Sequence, residues 1–505
     1  MDSAISQPQY SLAAHEIAVR SFNEEGQYSS PSQLTKPRSA YTRSTCSDLP
    51  SIDSITDDKL AAVEQIELPT QHYNRIWRYV RYRILSVYVR LSLFIIITNL
   101  VIMISLCTVR GLGSVDVQAV IAPTAVNLAA AVLIRQEVFI NTLFSVVGRC
   151  PQRVPTRFKK LAAKIYHLGG VHSGAGIAAA LWFGIATYPM LTAPAMKASS
   201  VMYNLNFAVT LTLDLLLLII VTMSHPHIRQ TAHDIWEASH RYVGWSAIVL
   251  FWIHTLIHVD ASRKLNNPSQ RLARALACYP VFWCLIVVSI SIVLPWLNLR
   301  RVDVVAEELS SHAIRLHFKY TDIPLCATIR LSTSPLTEWH SFAGIPEHED
   351  TGFSILVSRA GDWTSKIIDN SPQQLWTRGL PTQSVLRVAR IFTRVVVLAT
   401  GSGIGPVLSL LYASELDTRV VWSASDPINT YKMKVINQVL SADRHAIIID
   451  TRQAGRPDLV REAYQLYKSS QAEAVFVVSN AKVTRMVVYA LESRGVPVFA
   501  PIFDS

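Results

Sequence analysis

The chain has 505 residues, 50% of them hydrophobic and only 16% charged, and its mean hydropathy is +0.27. This balance argues against an ordinary soluble globular protein and predicts several membrane spans. The net charge of +11 gathers beside apolar segments, as in Arg75–Arg90 and Arg149–Lys164, so it reads as positive-inside flanks and not as a nucleic-acid surface. Six scattered cysteines without a CxxC spacing support neither a disulfide framework nor a zinc site.

Residues 1–74 are rich in Ser, Thr, Gln and Pro and cannot bury enough apolar surface to fold, which predicts a disordered cytosolic tail. No basic stub with an apolar core opens the chain, so no cleavable signal peptide is expected. Residues 75–300 carry six apolar stretches, near 86–109, 117–148, 165–190, 204–224, 241–260 and 276–297. Each is long enough for a span of about 20 residues.

Basic residues crowd before the first stretch, between the second and third (Arg149, Arg153, Arg157, Lys159, Lys160) and after the sixth (Arg300, Arg301). This predicts a multi-pass protein of the plasma membrane or an endomembrane with both termini cytosolic. The connection after the fifth stretch disagrees, since Arg263, Lys264, Arg271 and Arg274 would lie outside. Arg135, Glu137 and Asp214 interrupt apolar stretches and are expected to face the bundle interior, Arg135 pairing with Asp214.

Residues 301–388 read as short strands separated by turns, a β-barrel-like domain. From 389 to 505 strands alternate with helices, predicting an α/β domain. Its buried parallel strands are Val395–Ala399, Arg419–Ser423, Ala446–Asp450 and Ala474–Val478. The first runs into Gly401-Ser402-Gly403-Ile404-Gly405-Pro406 and then into a helix. Glycines there allow a tight turn and close backbone approach to a pyrophosphate, and the helix N-terminus favours its charge. Trp422, at the end of the next strand, would meet an adenosine. Ser423 and Ser425 suit NADPH, while Asp426 leaves NADH open.

These pieces, in this order, resemble the ferric reductase and NADPH oxidase superfamily, a transmembrane bundle followed by a ferredoxin-reductase-like FAD/NADP module. They are more similar still to the TmpA-type fungal transmembrane flavoproteins. That branch also forms the C-terminal half of certain adenylating, peptide-synthetase-like proteins. The motifs that carry the resemblance are Trp236–Arg241, Glu338–Phe342, Arg359–Thr364, Gly401–Pro406, Asp450–Asp458 and Ala500–Ser505. It implies a flavin lined by His340, Ser341 and Phe342, a flavin pyrophosphate on Gly361 and Thr364, and added charge from Arg378-Gly379. It also implies NADPH on the glycine turn, although Ser479-Asn480 stands where the family usually has Cys-Gly.

The superfamily holds two haems between histidines on two helices. His240 and His254 are fourteen residues apart on the fifth stretch, roughly 21 Å of rise. The third stretch offers His167 and His172, both at its cytosolic end. One inner haem between His240 and either of these is geometrically open, whereas the outer His254 has no opposed partner. The expected function is a membrane-anchored, NAD(P)H-dependent flavin oxidoreductase with an unknown acceptor. Its setting would be redox or developmental signalling or metabolite biosynthesis. The alternative is a degenerate regulatory membrane protein that binds nucleotide without turnover.

Overall fold

The computed structural model describes residues 66–110, 117–151, 153–192, 200–347, 351–412 and 416–501. The predicted tail up to residue 65 and the terminal motif beyond Pro501 lie outside them. The helical part begins with a short helix α1 (Arg75–Tyr79), which runs into a π-turn, Val80–Ile84. Then follow α2 (Val87–Arg110), α3 (Val117–Leu133), α4 (Glu137–Gly148), α5 (Thr156–Ala162), α6 (Gly169–Thr192), α7 (Ser200–Met223), α8 (Pro226–Thr231), α9 (His233–Asn266), α10 (Leu272–Ala277) and α11 (Pro280–Leu297). Five helices are long and apolar enough to cross a membrane, six if α3 and α4 count as one span.

The second predicted span breaks in the middle. α3 ends at Leu133 and α4 leaves at 69°, because the chain tightens at Arg135 and Gln136 restarts the helix. The Gln136 side chain accepts hydrogen bonds from Val138 N (2.7 Å) and Phe139 N (3.1 Å). α4 then turns away from the bundle. Phe144 joins the core of the nucleotide-type sheet, and Glu137 and Asn141, one helical turn apart, both bond to the barrel.

The expected Arg135–Asp214 pair does not form: Asp214 accepts from Thr187 Oγ1 at 2.7 Å. The charge conflict after the fifth span is partly relieved, because Asp260 pairs with both Arg263 and Lys264 at 2.7 Å.

Residues 300–383 form a seven-stranded sheet built from β1 (Arg300–Asp303), β2 (Val305–Ser310), β3 (Ala313–Phe318), β4 (Ala327–Ser332), β5 (His340–Pro346), β6 (Phe353–Ser358) and β7 (Gln374–Gln383). α12 (Asp362–Asn370) lies between the last two. The order is β1-β7-β4-β5-β6-β3-β2, with antiparallel pairings throughout. The two edge strands are joined through Val304 alone, so the sheet curls on itself around Ile314, Leu316, Ile329, Leu331, Ile355 and Trp363.

The last part is a parallel sheet of β8 (Arg394–Thr400), β9 (Asp417–Ala424), β10 (Ile447–Asp450), β11 (Ala474–Val478) and β12 (Val498–Phe499). Its helices are α13 (Ile404–Leu411), α14 (Pro427–Ala442), α15 (Leu459–Ser469) and α16 (Ala481–Glu492). The order β10-β9-β8-β11-β12 puts the first strand in the middle. That is a doubly wound sheet whose switch point lies between the C-terminal ends of β8 and β11. β8 and β11 are buried along almost their whole length, which is why their β-branched runs read as central strands.

Candidate functional site

The glycine turn sits at that switch point. Gly401 has φ +51, a conformation that suits glycine, and its Cα faces open space with only Tyr431 Oη nearby at 3.7 Å. Ser402 completes a 3₁₀ turn over Gly401–Gly403 that leads into α13, where Ile404 is buried and Pro406 falls in the first turn. Gly403 has ordinary helical φ −57. Its smallness serves packing, since a Cβ there would collide with the Val478 carbonyl on β11. Gly405 lets α13 approach β6, where a Cβ would meet Leu356 Cβ at 3.2 Å. The three glycines therefore divide between turn, helix–strand and interdomain packing.

Trp422 does not meet a ligand. It is 0% exposed, and its indole Nε1 donates to Gly401 O at 3.0 Å, so it braces the turn from behind. At the end of β9 Ser425 is exposed, and Asp426 beside it is half-buried. Hydrogen bonds from Asn429 hold the Asp426 carboxyl below the usual carboxylate range, helped by Arg452, whose Nη1 lies 2.8 Å away. Across the switch point, Thr400 and Ser479 share a 2.5 Å hydroxyl contact.

On the barrel, β5 alternates. His340 and Phe342 point to one face and stack on Trp363 at 4.3 and 5.5 Å. Ser341 lies on the other face, in register with Arg330, which in turn pairs with Arg378. Gly361 caps α12 in extended backbone with open space around it. The Thr364 hydroxyl accepts from Ala360 N (2.9 Å) and Gly361 N (3.0 Å), so it ties its own turn together.

Arg378 sits in the corner made by two perpendicular indoles, Trp296 (4.6 Å) and Trp339 (4.4 Å), with its Nε buried and unpartnered. Burial, then the neighbouring Arg330 and Arg241, pull it down to about 10. Gly379 has φ +71 and lies against the Glu137 carboxylate, which accepts from Arg330 Nη1 and from Leu380 N at 2.6 Å.

Arg330 and Arg378 open onto a cavity of about 1200 Å³ that runs into the helical bundle. Inside it, His172 on α6 and His240 on α9 face each other with ring centroids 6.0 Å apart. His172 Nδ1 donates to Ala131 O at 2.8 Å, which leaves Nε2 as its basic nitrogen. His167 is set apart, with its ring tilted against Tyr166 at 4.2 Å. Sequence reasoning missed the cationic mouth formed by Arg135, Arg229, Arg241, Arg330 and Arg378. These arginines come from five separate segments, so no local pattern gathers them.

The similarities to known proteins fall on the same modules. Residues 385–505 match the family model described as "Adenylate-forming reductase 03009, C-terminal domain". Over 442 residues the chain is 39% identical to Adenylate-forming reductase 03009 of Coprinopsis cinerea, covering 86% of this chain and 42% of that protein. Adenylate-forming reductase 06235 of the same fungus is 37% identical over 474 residues, covering 91% and 45%. The chain thus spans less than half the length of these curated relatives. Among solved structures, a ferredoxin NADP+ reductase from Neisseria gonorrhoeae with bound FAD and NADP is 14% identical over 40% of this chain and 98% of its own, with a TM-score of 0.33.

Proposed function

We propose that the chain is a membrane-embedded FAD- and NADPH-dependent oxidoreductase of the TmpA and ferric-reductase type. It would take hydride from cytosolic NADPH and pass electrons through FAD to an acceptor, in redox or developmental signalling or in metabolite biosynthesis. One observation carries the reading. A glycine turn lies at the switch point of a doubly wound sheet, directly after a curled antiparallel sheet whose arginine-bearing face opens onto the bundle cavity. The named relatives are called reductases.

The membrane placement is supported by the outward-facing apolar side chains of the long helices, such as Phe94, Ile97 and Val101 on α2 and Ile290 and Val293 on α11. The turn Gly401–Gly403 and the N-terminus of α13 would receive the nucleotide pyrophosphate. Asp426 and Arg452 sit where the adenine ribose would lie, Arg452 being the partner for a 2′-phosphate and Asp426 for a free ribose. For FAD, the open backbone at Gly361 and the orphaned Nε of Arg378 fit anionic groups, while Thr364 fixes the turn. When bound, FAD supplies the step from paired to single electrons. His172 and His240 also fit one inner haem. They are the two residues that would hold it, since both line the cavity with their rings 6.0 Å apart.

A second reading is favoured by the end of β11, where Ser479 hydrogen-bonds Thr400 in place of a Cys-Gly turn. In that reading the module binds nucleotide and regulates without turnover. An absorbance spectrum of the purified full chain, before and after NADPH, decides between them. Flavin bands bleached by NADPH support the oxidoreductase. Flavin bands that NADPH leaves unchanged support the regulator, and absence of flavin after reconstitution overturns both flavin assignments.

A further inference from the structure

Composition assigns residues 66–83 to a tail and a flank, yet they are built into the protein. Ile66 and Leu68 pack on the core around α15 and α16. His72 N donates to Ser493 O at 2.7 Å, and Arg494 Nε donates to Pro69 O at 2.9 Å. Arg78 Nε donates to Tyr489 Oη at 3.2 Å, Tyr82 meets the Tyr489 ring edge-on at 6.5 Å, and the Arg83 guanidinium lies 5.3 Å above the same ring. Residues 66–83 therefore clasp the C-terminal end of α16. The other end of that helix begins at the switch-point crevice, beside Ser479.

The opposite face of the clasp is unpartnered among the described residues and has an unusual composition. Ile76 is 79% exposed, Trp77 50%, Tyr79 56% and Ile84 51%. Of the arginines interleaved with them, Arg75 and Arg83 are exposed while Arg78 and Arg81 are half-buried on the clasped side, and no acidic residue occurs between Glu67 and Asp116. The carboxylate sensed by Arg81 and Arg90 is Glu492, which also lies 3.9 Å from Lys164. Glu492 thus offsets Arg81, and Arg75 and Arg83 have no ion pair among the described residues. Asn74 caps α1 by accepting from Trp77 N at 2.8 Å, which fixes where the indole leaves the backbone. The π-turn shifts the side-chain phase just before α2 begins. A short element with exposed Ile, Trp and Tyr among arginines, continuous with a long apolar helix, has the chemistry of the water–lipid boundary.

We propose that residues 75–84 are an anionic-lipid-binding element, and that by binding headgroups they hold the clasp, and so α16 of the nucleotide-type domain, against the membrane surface. The inference rests on the membrane reading of the bundle. Aromatic side chains lie at headgroup depth while the arginines take up phosphate and carboxylate charge, each adding to attraction within a Debye length of the surface.

The test uses the full chain in nanodiscs of phosphatidylcholine alone or mixed with phosphatidylserine, reading amide hydrogen exchange in peptides covering 66–86 and 485–494. Anionic discs are expected to slow exchange over 75–84 about tenfold, with high salt reversing the effect. The exposed double variant Arg75→Gln, Trp77→Ser should lose this slowing while keeping protection at 485–494 in neutral discs, which shows that the fold is intact. Equal exchange in both lipids overturns the proposal, as does protection that disappears on trimming residues 1–65, which would give the face to the chain's own tail. Failure to enter discs at all counts against the membrane reading, not against this element alone.

Discussion

Replacing Gly403 with alanine tests how the switch point is built. The backbone at Gly403 is ordinary helix, φ −57, so alanine brings no dihedral penalty. The entire cost is steric. The new Cβ would overlap Val478 O and stand 3.1 Å from Val478 C, where a relaxed carbon–carbon contact needs about 3.5–4.0 Å. Both partners are backbone, one at the start of a helix and one in a central strand, so neither can rotate away. Overpacking of this kind costs about 1–3 kcal/mol, and the rigidity of both partners argues for about 2–3. For a soluble module of this size that corresponds to a fall in Tm of roughly 4–12 °C. The displaced turn should also weaken NADPH binding.

Gly401 supplies the contrast. Its φ is +51 and a Cβ meets only Tyr431 Oη at 3.7 Å, so Gly401→Asn should be mild because asparagine tolerates that region. Gly403→Asn should be at least as damaging as the alanine. Scanning fluorimetry of the four proteins with and without NADPH is the assay. Equal melting of wild type and Gly403→Ala, or the same response to asparagine at both positions, would refute the division of labour between the two glycines.

Arg452→Ala should weaken NADPH binding by about tenfold and leave NADH nearly unchanged, measured as Kd by titration; equal loss for both would remove Arg452 from the 2′-phosphate. Glu137→Ala should cost about 2–3 kcal/mol, below the usual figure for breaking a buried pair because the Arg330 side chain is 31% exposed. Glu137→Gln, which still accepts from Leu380 N–H, should cost less, and proteolysis between α4 and the barrel reports both. On Glu307, burial raises the carboxyl, but the hydrogen bond from His317 and the charge of Lys434 outweigh it and hold it below its ordinary 4.5. The stability it adds is therefore present above about pH 4.5 and lost as pH falls. His317→Gln should flatten that acid limb in a pH series of melting curves.

The parallel sheet was legible because its strands are buried on both faces and so show as unbroken β-branched runs. β8, β9 and β11 fall within two residues of the predicted strands. The break between α3 and α4 is not visible in the sequence for a related reason. A docked helix rich in Phe, Ile, Leu and Val has the same hydropathy as a span, and periodicity alone does not separate a lipid face from a protein face. The hint was the pair Glu137 and Asn141 on one face, both of which bond to β7. Trp422 differs from its expected role because the end of a strand in sequence does not say which side chain turns inward; the pleat turns Trp422 into the core and leaves Ser425 exposed. The histidine choice required a neighbour from another segment. His167 and His172 are equivalent in sequence spacing, and it is the Ala131 carbonyl on α3 that anchors one of them opposite His240.

The cavity also bears on where electrons can go under the proposed function. Its lining includes His172, His240 and Phe251. One turn beyond Phe251 on α9, His254 is 0% exposed and meets Phe183 of α6 edge-on at 5.8 Å. Its other aromatic neighbour, His258, is on the same helix, stacked at 6.3 Å with the rings 4° from parallel. A second relay site at that depth needs an opposed ligand on α6, and Phe183 and Ala186, both fully buried there, offer no donor atom. Apolar packing between α6 and α9 takes the place that a bridging cofactor would need. Under the proposed function, electrons at the His172–His240 level have an arginine-lined way toward the barrel. Among the described residues of α6 and α9 no opposed ligand pair leads into the far half of the bundle, which favours an acceptor on the side proposed for NADPH.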